Sequence, residues 1–249
     1  MKAFWWFKQN SVAGMARPGF NGIRWFDMPF EESIVYAWIG QRSSGTYSLQ
    51  SFKSHLREYG AMAKVFFDMT QAQFDDIVQS FDHINHFQNM FSLIADKTRC
   101  IDYFEIKNDE IYFRLNQERL NLEIDFMKKS GVGAIVTLTE KHHQKDELSD
   151  HFDLHHLAID DMHPPTFEQA DQLAQIIRLA RAQHKNVVVH CMAGIGRTST
   201  MLLAAHLILG ENFEDLKSLI QTQNPTYKLS GSQFHFVNSV AKRLDLPLV

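Results

Sequence analysis

The stretch Asn186–Gly210, NVVVHCMAGIGRTSTMLLAAHLILG, decides how this chain is read. A β-branched run, NVVVH, stops at His190. RTSTMLLAAHLIL then reads as a helix that Gly210 ends. The loop between them holds Cys191, one of only two cysteines in the chain, together with Gly194, Gly196 and Arg197. A loop running from a strand end into a helix N-terminus turns successive backbone N–H groups toward one point. Such a concavity suits a tetrahedral anion.

Each loop residue has an expected part. Gly194 and Gly196 allow backbone angles that a Cβ resists. Met192, Ala193 and Ile195 supply backbone N–H groups. The Arg197 guanidinium is able to grip two phosphate oxygens. Helix dipole, inward N–H groups and the arginine all favour a thiolate at Cys191. In-line attack by that thiolate on a phosphomonoester gives a cysteinyl-phosphate, with no metal or other cofactor required. The Thr198 hydroxyl is placed to donate to the sulfur in the second step, and His190 to orient the loop through hydrogen bonds. The plain alternative is a buried structural thiol beside a surface arginine. It leaves the glycines and the flanking elements without a common reason.

The leaving oxygen needs a proton. LAIDDMHPPT, a strand end followed by a rigid turn, offers Asp160 and Asp161, and chain geometry alone does not choose between them. An Asx-type turn or helix-start residue is the structural reading of either.

Outward from this stretch the pattern is regular from about Asn116. NQERLNLEIDFMKKSG reads as a helix with Asn116 as N-cap and Gly131 as its stop. VGAIVTLT and FDLHHLAI read as strands. PPTFEQADQLAQIIRLARAQH reads as a helix, with Thr166 and Gln169 at capping-box spacing. NFEDLKSLIQTQ and SGSQFHFVNSVAKRL read as two more helices. Strands separated by helices of this length predict an α/β fold, a mostly parallel central sheet flanked by helices. Residues 20–115 are less regular and read as an α+β insertion or subdomain within one 1–249 domain. There SIVYAWIG and AKVFFDMT suggest strands, LQSFKSHLREYG and FDDIVQSFDHINHFQNMFSLIADK suggest helices, and CIDYFEIKNDEIYFRL suggests a hairpin. Phe4–Phe7 reads as a core strand.

His190, Cys191, Arg197 and Thr198 match the H-C-x5-R-[S/T] loop, and the chain thereby resembles the cysteine-based protein tyrosine phosphatase superfamily. NSVAGMARP, VTLTE and LAIDDMHPP are similar to the small atypical dual-specificity phosphatases. Matching IDDMHPP to that group's I-x-D-x-x-x-P loop implies Asp161 as the general acid. The resemblance covers Asn116 to about Val240 as the catalytic portion, 116–249. It implies a phosphorylated protein as substrate, bound by residues 192–198, with Gln233 in KLSGSQF as a partial counterpart of the glutamine that orients water. A W-P-D loop and a phosphotyrosine-recognition loop are not found. The 20–115 segment has no counterpart in the small enzymes, and a protein-docking role is one expectation for it.

Composition sets the remaining limits. Hydrophobic content of 45% and charged content of 22% fit a folded globular chain, and a net charge of −4 gives no global field for nucleic acid. Two cysteines favour a reducing, cytoplasmic setting over a disulfide framework. MKAFWWFKQN has too short an apolar run for a secretory signal, and no stretch is long enough to span a membrane. The histidine pairs His83/His86, His142/His143 and His155/His156 lack a metal-ligand set. Cys100 reads as a core thiol. Alternatives with the same loop are a phosphoinositide or RNA-phosphate phosphatase, which the apolar Met192, Ala193 and Ile195 disfavour, and a phosphate-binding interaction module.

Overall fold

A computed structural model of the chain describes residues 4–20, 27–142, 144–225 and 227–246; His143 and residues 21–26 of the expected insertion lie outside them. The chain divides into two compact units, Met1–Pro18 with Asn121–Val249, and Gly19–Leu120.

The first unit is built on a five-stranded sheet. Its strands are β1 (Phe4–Lys8), β2 (Val12–Met15), β6 (Val132–Thr137), β7 (Asp153–His156) and β8 (Asn186–His190), in the order β1-β2-β8-β6-β7. β2, β8, β6 and β7 run parallel, and β1 closes one edge antiparallel to β2. β8 is central, and Val187, Val188 and Val189 are buried because both neighbours and the covering helices enclose them. The helices are α6 (Lys145–Ser149), α7 (Phe167–Ala182), α8 (Gly196–Ile208), α9 (Phe213–Gln223) and α10 (Gly231–Arg243). α8 is buried on every side from Arg197 to Leu207, as an apolar helix without a polar face must be. It packs on β2 and β8 and against α7, α9 and α10. α7 begins with the expected capping box: Thr166 accepts from the Gln169 N–H, and the Gln169 side chain takes the Thr166 N–H.

The second unit has a three-stranded antiparallel sheet, in the order β3 (Gly45–Ser48), β5 (Glu110–Leu115), β4 (Ile101–Lys107). α1 (Phe30–Gly40), α2 (Leu49–Ala63), a 3-10 turn (Lys64–Phe67), α3 (Gln71–Ser80) and α4 (Ile84–Thr98) complete it. Its core gathers around Trp38, whose ring meets Tyr47, Phe52, Phe91 and Phe113 at centroid distances of 5.5–6.0 Å. The β4–β5 hairpin turns at Asn108 and Asp109, both with positive φ (52° and 59°), the backbone of a tight hairpin turn.

Two expected strands are corrected. Ser33–Gly40 is helical, within α1. Its residues are buried all round, and a short continuous apolar run carries no period to separate a buried helix from a buried strand. Glu31 and Glu32 in the first turn add favourable charge at the helix N-terminus. Ala63–Thr70 is the end of α2, the 3-10 turn and a loop in which Asp68 takes a left-handed φ of 49°. β2 and β3 are strands that the pattern of the sequence did not announce. α5 (Gln117–Lys129), by contrast, lies where expected: Asn116 Oδ1 accepts from the Arg119 N–H at 3.0 Å, and Gly131 follows with φ +69°.

Candidate functional site

The site forms where β8 ends. His190 closes the strand, residues 191–195 make the loop, and α8 starts at Gly196, so the loop's backbone N–H groups sit at the N-terminus of a buried helix. Cys191 is 3% exposed at the base of this loop. Two contacts from outside hold the loop. The Arg17 N–H donates to the Met192 carbonyl at 3.1 Å, and Asn224 Nδ2 donates to the Gly194 carbonyl at 3.3 Å. Gly194 has φ +72°, and a Cβ there would fall 2.5 Å from the backbone carbon of Met15, so the loop lies directly on the end of β2.

His190 is enclosed. Its Nδ1 donates to the Cys191 carbonyl at 3.3 Å, which leaves Nε2 to accept from the Thr137 hydroxyl at 2.9 Å. Burial, with added repulsion from Arg17, His142 and Arg197, pushes its pKa down to about 3, so the ring is neutral. A neutral ring with both nitrogens engaged fixes the backbone on either side of Cys191. The Thr198 hydroxyl is buried and has no hydrogen-bond partner among the described residues, so it is left able to donate to a bound group.

Arg197 is buried and surrounded by acceptors. Nη1 donates to Glu140 Oε2 at 3.1 Å and to the Ile159 carbonyl at 2.9 Å. Nη2 lies 3.1 Å from Asp161 Oδ1. Burial opposes the charge, but Asp161, Cys191 and Glu140 outweigh it and hold the guanidinium pKa above its ordinary value. Of the two neighbouring aspartates, Asp161 reaches this group, while Asp160 is exposed. The loop carrying Asp161 is pinned at several points: Oδ1 of Asp161 accepts from the Met162 N–H, Ser230 and Ser232 donate to the Met162 carbonyl, and Gln233 Nε2 donates to the His163 carbonyl. The Gln233 amide would also stand 3.2 Å from a Cβ on Gly196, and its Oε1 accepts from the Ser230 N–H in an α10 capping box. Gln233 therefore reaches both loops, with its amide engaged in holding them.

The expected residues Cys191, Met192, Ala193, Gly194, Ile195, Gly196, Arg197, Thr198, His190, Asp161 and Gln233 thus belong to one neighbourhood. Glu140 and Asn224 complete it and were not foreseen. VTLTE does carry Glu140, but a single carboxylate after a strand has no local signature. Asn224 lies 30 residues past the loop it supports. Among the described residues no group of histidine, cysteine and carboxylate side chains is arranged to hold a metal ion, and no helix is long and apolar enough to cross a membrane.

Residues 116–211 match the family described as a polymorphic toxin system DSP-PTPase phosphatase. Solved structures resemble about half of the chain. Tk-PTP in its active form is 23% identical, with 49% of this chain and 86% of that one covered and a TM-score of 0.45. PTPMT1 in complex with PI(5)P is 19% identical, with 50% and 86% covered and a TM-score of 0.45. Human DUSP28 is 9% identical, with 49% and 85% covered and a TM-score of 0.43.

Proposed function

We propose, from the match of residues 116–211 to a family described as a DSP-PTPase phosphatase, that this chain hydrolyses phosphotyrosine, and phosphoserine or phosphothreonine as well, through a cysteinyl-phosphate. The observation that carries the reading is Arg197, set behind Cys191 at the start of α8 and paired with the Asp161 carboxylate at 3.1 Å. In the first step the Cys191 thiolate attacks phosphorus, the bond to the leaving oxygen breaks, and the Asp161 carboxylic acid gives that oxygen its proton. Arg197 and the N–H groups of residues 192–198 take up the charge of the transferring phosphoryl group. In the second step water attacks phosphorus, its proton passes to the Asp161 carboxylate, and the S–P bond breaks. Thr198 donates to the departing sulfur, and inorganic phosphate leaves. His190 keeps the loop in shape, and Gln233 holds the acid loop beside it.

The test is turnover of p-nitrophenyl phosphate by the full chain and by Cys191→Ser. An inactive wild type between pH 5 and 8, or an active Cys191→Ser, ends the reading. On phenyl phosphate, whose leaving group needs the proton, Asp161→Ala should lower turnover by about 10²–10⁴-fold, and Asp160→Ala by far less; the reverse order reassigns the acid.

A protein phosphomonoester is favoured over an inositol lipid because Met192, Ala193 and Ile195 give the loop no extra cation. A panel of phosphopeptides and phosphoinositides tests this, and preference for the lipids would overturn it. The family description names a polymorphic toxin system, which favours a toxin role for this activity. Growth arrest on expression in a bacterial host, lost in Cys191→Ser, is the expected result. Unimpaired growth with active enzyme would remove the toxin role and leave the chemistry. For Gly19–Leu120 a docking role is favoured by its own aromatic core and the exposed Tyr103–Tyr112 pair on its hairpin, rings 5.8 Å apart. If Tyr103→Ala with Tyr112→Ala leaves kcat/KM on full-length phosphoprotein substrates unchanged, that role is refuted.

A further inference from the structure

We propose that Glu140, just past the end of β6, is a positioning residue that couples the two loops of the site: it fixes one edge of the Arg197 guanidinium and anchors the backbone of the acid loop. The inference rests on the phosphatase reading above. One Glu140 oxygen lies 3.1 Å from Arg197 Nη1, and the other accepts the Asp161 N–H at 2.9 Å. A single carboxylate thus ties the group that grips phosphate to the residue that protonates the leaving oxygen.

The donor count gives this contact a direction. Nη1 has two protons, and Glu140 and the Ile159 carbonyl take both. The edge bearing Nε and Nη2 is the one left to face a bidentate anion. Asp161 pairs with Nη2, one of the two nitrogens of that edge. An arriving phosphate therefore displaces the Asp161 carboxylate and not Glu140. The freed carboxyl turns toward the leaving oxygen while its own backbone stays tied to Glu140. With its side chain 41% exposed, Glu140 contributes little to the core, so its removal reads mainly on this geometry.

The experiment compares full-length wild type, Glu140→Gln and Glu140→Ala on phenyl phosphate and p-nitrophenyl phosphate, with inhibition by inorganic phosphate measured in parallel. Phenolate is the poorer leaving group, so a misplaced acid costs more on phenyl phosphate. A glutamine has one acceptor oxygen, and the charged guanidinium claims it, leaving the Asp161 N–H unanchored. Glu140→Gln should lose about 10- to 100-fold in kcat on phenyl phosphate and less than about threefold on p-nitrophenyl phosphate, part of the general-acid contribution. Glu140→Ala should show the same split and raise the inhibition constant of phosphate about tenfold, the weight of a charge-assisted hydrogen bond. Removing a carboxylate beside the guanidinium would by charge alone tighten phosphate binding, so weaker binding marks lost positioning. Equal falls on both substrates, or phosphate inhibition unchanged or tightened in Glu140→Ala, overturn the inference. An inactive wild type overturns the phosphatase reading and this inference with it. An active wild type that loses turnover in Cys191→Ser, with both Glu140 variants unchanged, overturns this inference alone.

Discussion

Gly194→Ala separates the loop's shape from its chemistry. The glycine has φ +72°, where a residue with a Cβ pays roughly 1–2 kcal/mol. The new methyl would also sit 2.5 Å from the Met15 carbon, 2.6 Å from its oxygen and 2.7 Å from the Ala16 nitrogen. All three are backbone atoms, so no side chain can swing aside. The end of β2 is held by its pairing with β8, Met15 opposite His190, and overpacking of this kind costs about 1–3 kcal/mol. The sum, about 2–5 kcal/mol, has two outlets. If the loop keeps its form, the melting temperature falls by about 5–20 °C. If the loop lifts off β2, stability is spared, and a displacement near 1 Å costs about 10²-fold in turnover. Thermal melting and p-nitrophenyl phosphate kinetics on the same preparation measure both. Gly210→Ala is the control, since φ is +87° but none of the described residues lies within 4 Å of the added carbon. It should lose about 1–2 kcal/mol for the backbone alone and keep full activity. If Gly194→Ala stays within threefold of wild-type kcat/KM and melts within 2 °C of it, the tight seating on β2 is wrong.

Thr198→Val removes a buried hydroxyl without a partner among the described residues, so the variant should be as stable as wild type or more so, yet release phosphate more slowly. A burst of phenolate under pre-steady-state conditions is the expected sign, and a lower melting temperature would contradict it. Thr166→Ala breaks the α7 capping box and should cost about 1 kcal/mol by urea melting, with unchanged KM. Trp38→Ala should cost about 3–5 kcal/mol, because a fully buried ring with four aromatic neighbours leaves a large void; a loss under 1 kcal/mol would show that the void collapses. Burial lowers the pKa of His190 to about 3 and that of His206 to about 4, below the unfolded value near 6.5. The unfolded chain then binds the extra protons, so this stability is complete above pH 6.5 and falls with pH, by up to about 1.4 kcal/mol per pH unit for each histidine. Urea midpoints at pH 7 and pH 5 check the sign, and a midpoint that rises on acidification refutes it.

The parallel sheet was legible because Val132–Thr137 and Asn186–His190 are β-branched runs bounded by Gly131 and by the loop glycines. The helix starts at Thr166 and Asn116 were legible because a cap needs only neighbours three residues away. Val12–Met15 was not, since VAGM holds a single β-branched residue and becomes a strand through its pairing with Val187–His190 far along the chain. Ser33–Gly40 misled because total burial erases the periodicity on which the choice of helix or strand depends. The same division runs through the site. The Cys191–Thr198 loop is contiguous and was readable. Glu140 and Asn224 act across 57 and 30 residues, and only the folded chain brings them to Arg197 and Gly194.

The pairing of β2 with β8 has a consequence in time. Val12 lies opposite Val187, 187 − 12 = 175 residues later in the chain. At about 5–20 residues per second on a ribosome, the N-terminal strands wait roughly 10–35 s for their partner. All of Gly19–Leu120 has been made well before then and can close first. Until then β2, which pairs with β1 on one side, keeps its other edge open, the kind of surface that chaperones cover. A fragment cut to residues 116–211 would lack β1, β2 and the Gln233 helix, and would have no strand on which to seat Gly194. Cys191 is therefore synthesised before the loop around it can be finished, because Asn224 and Gln233 are still to come.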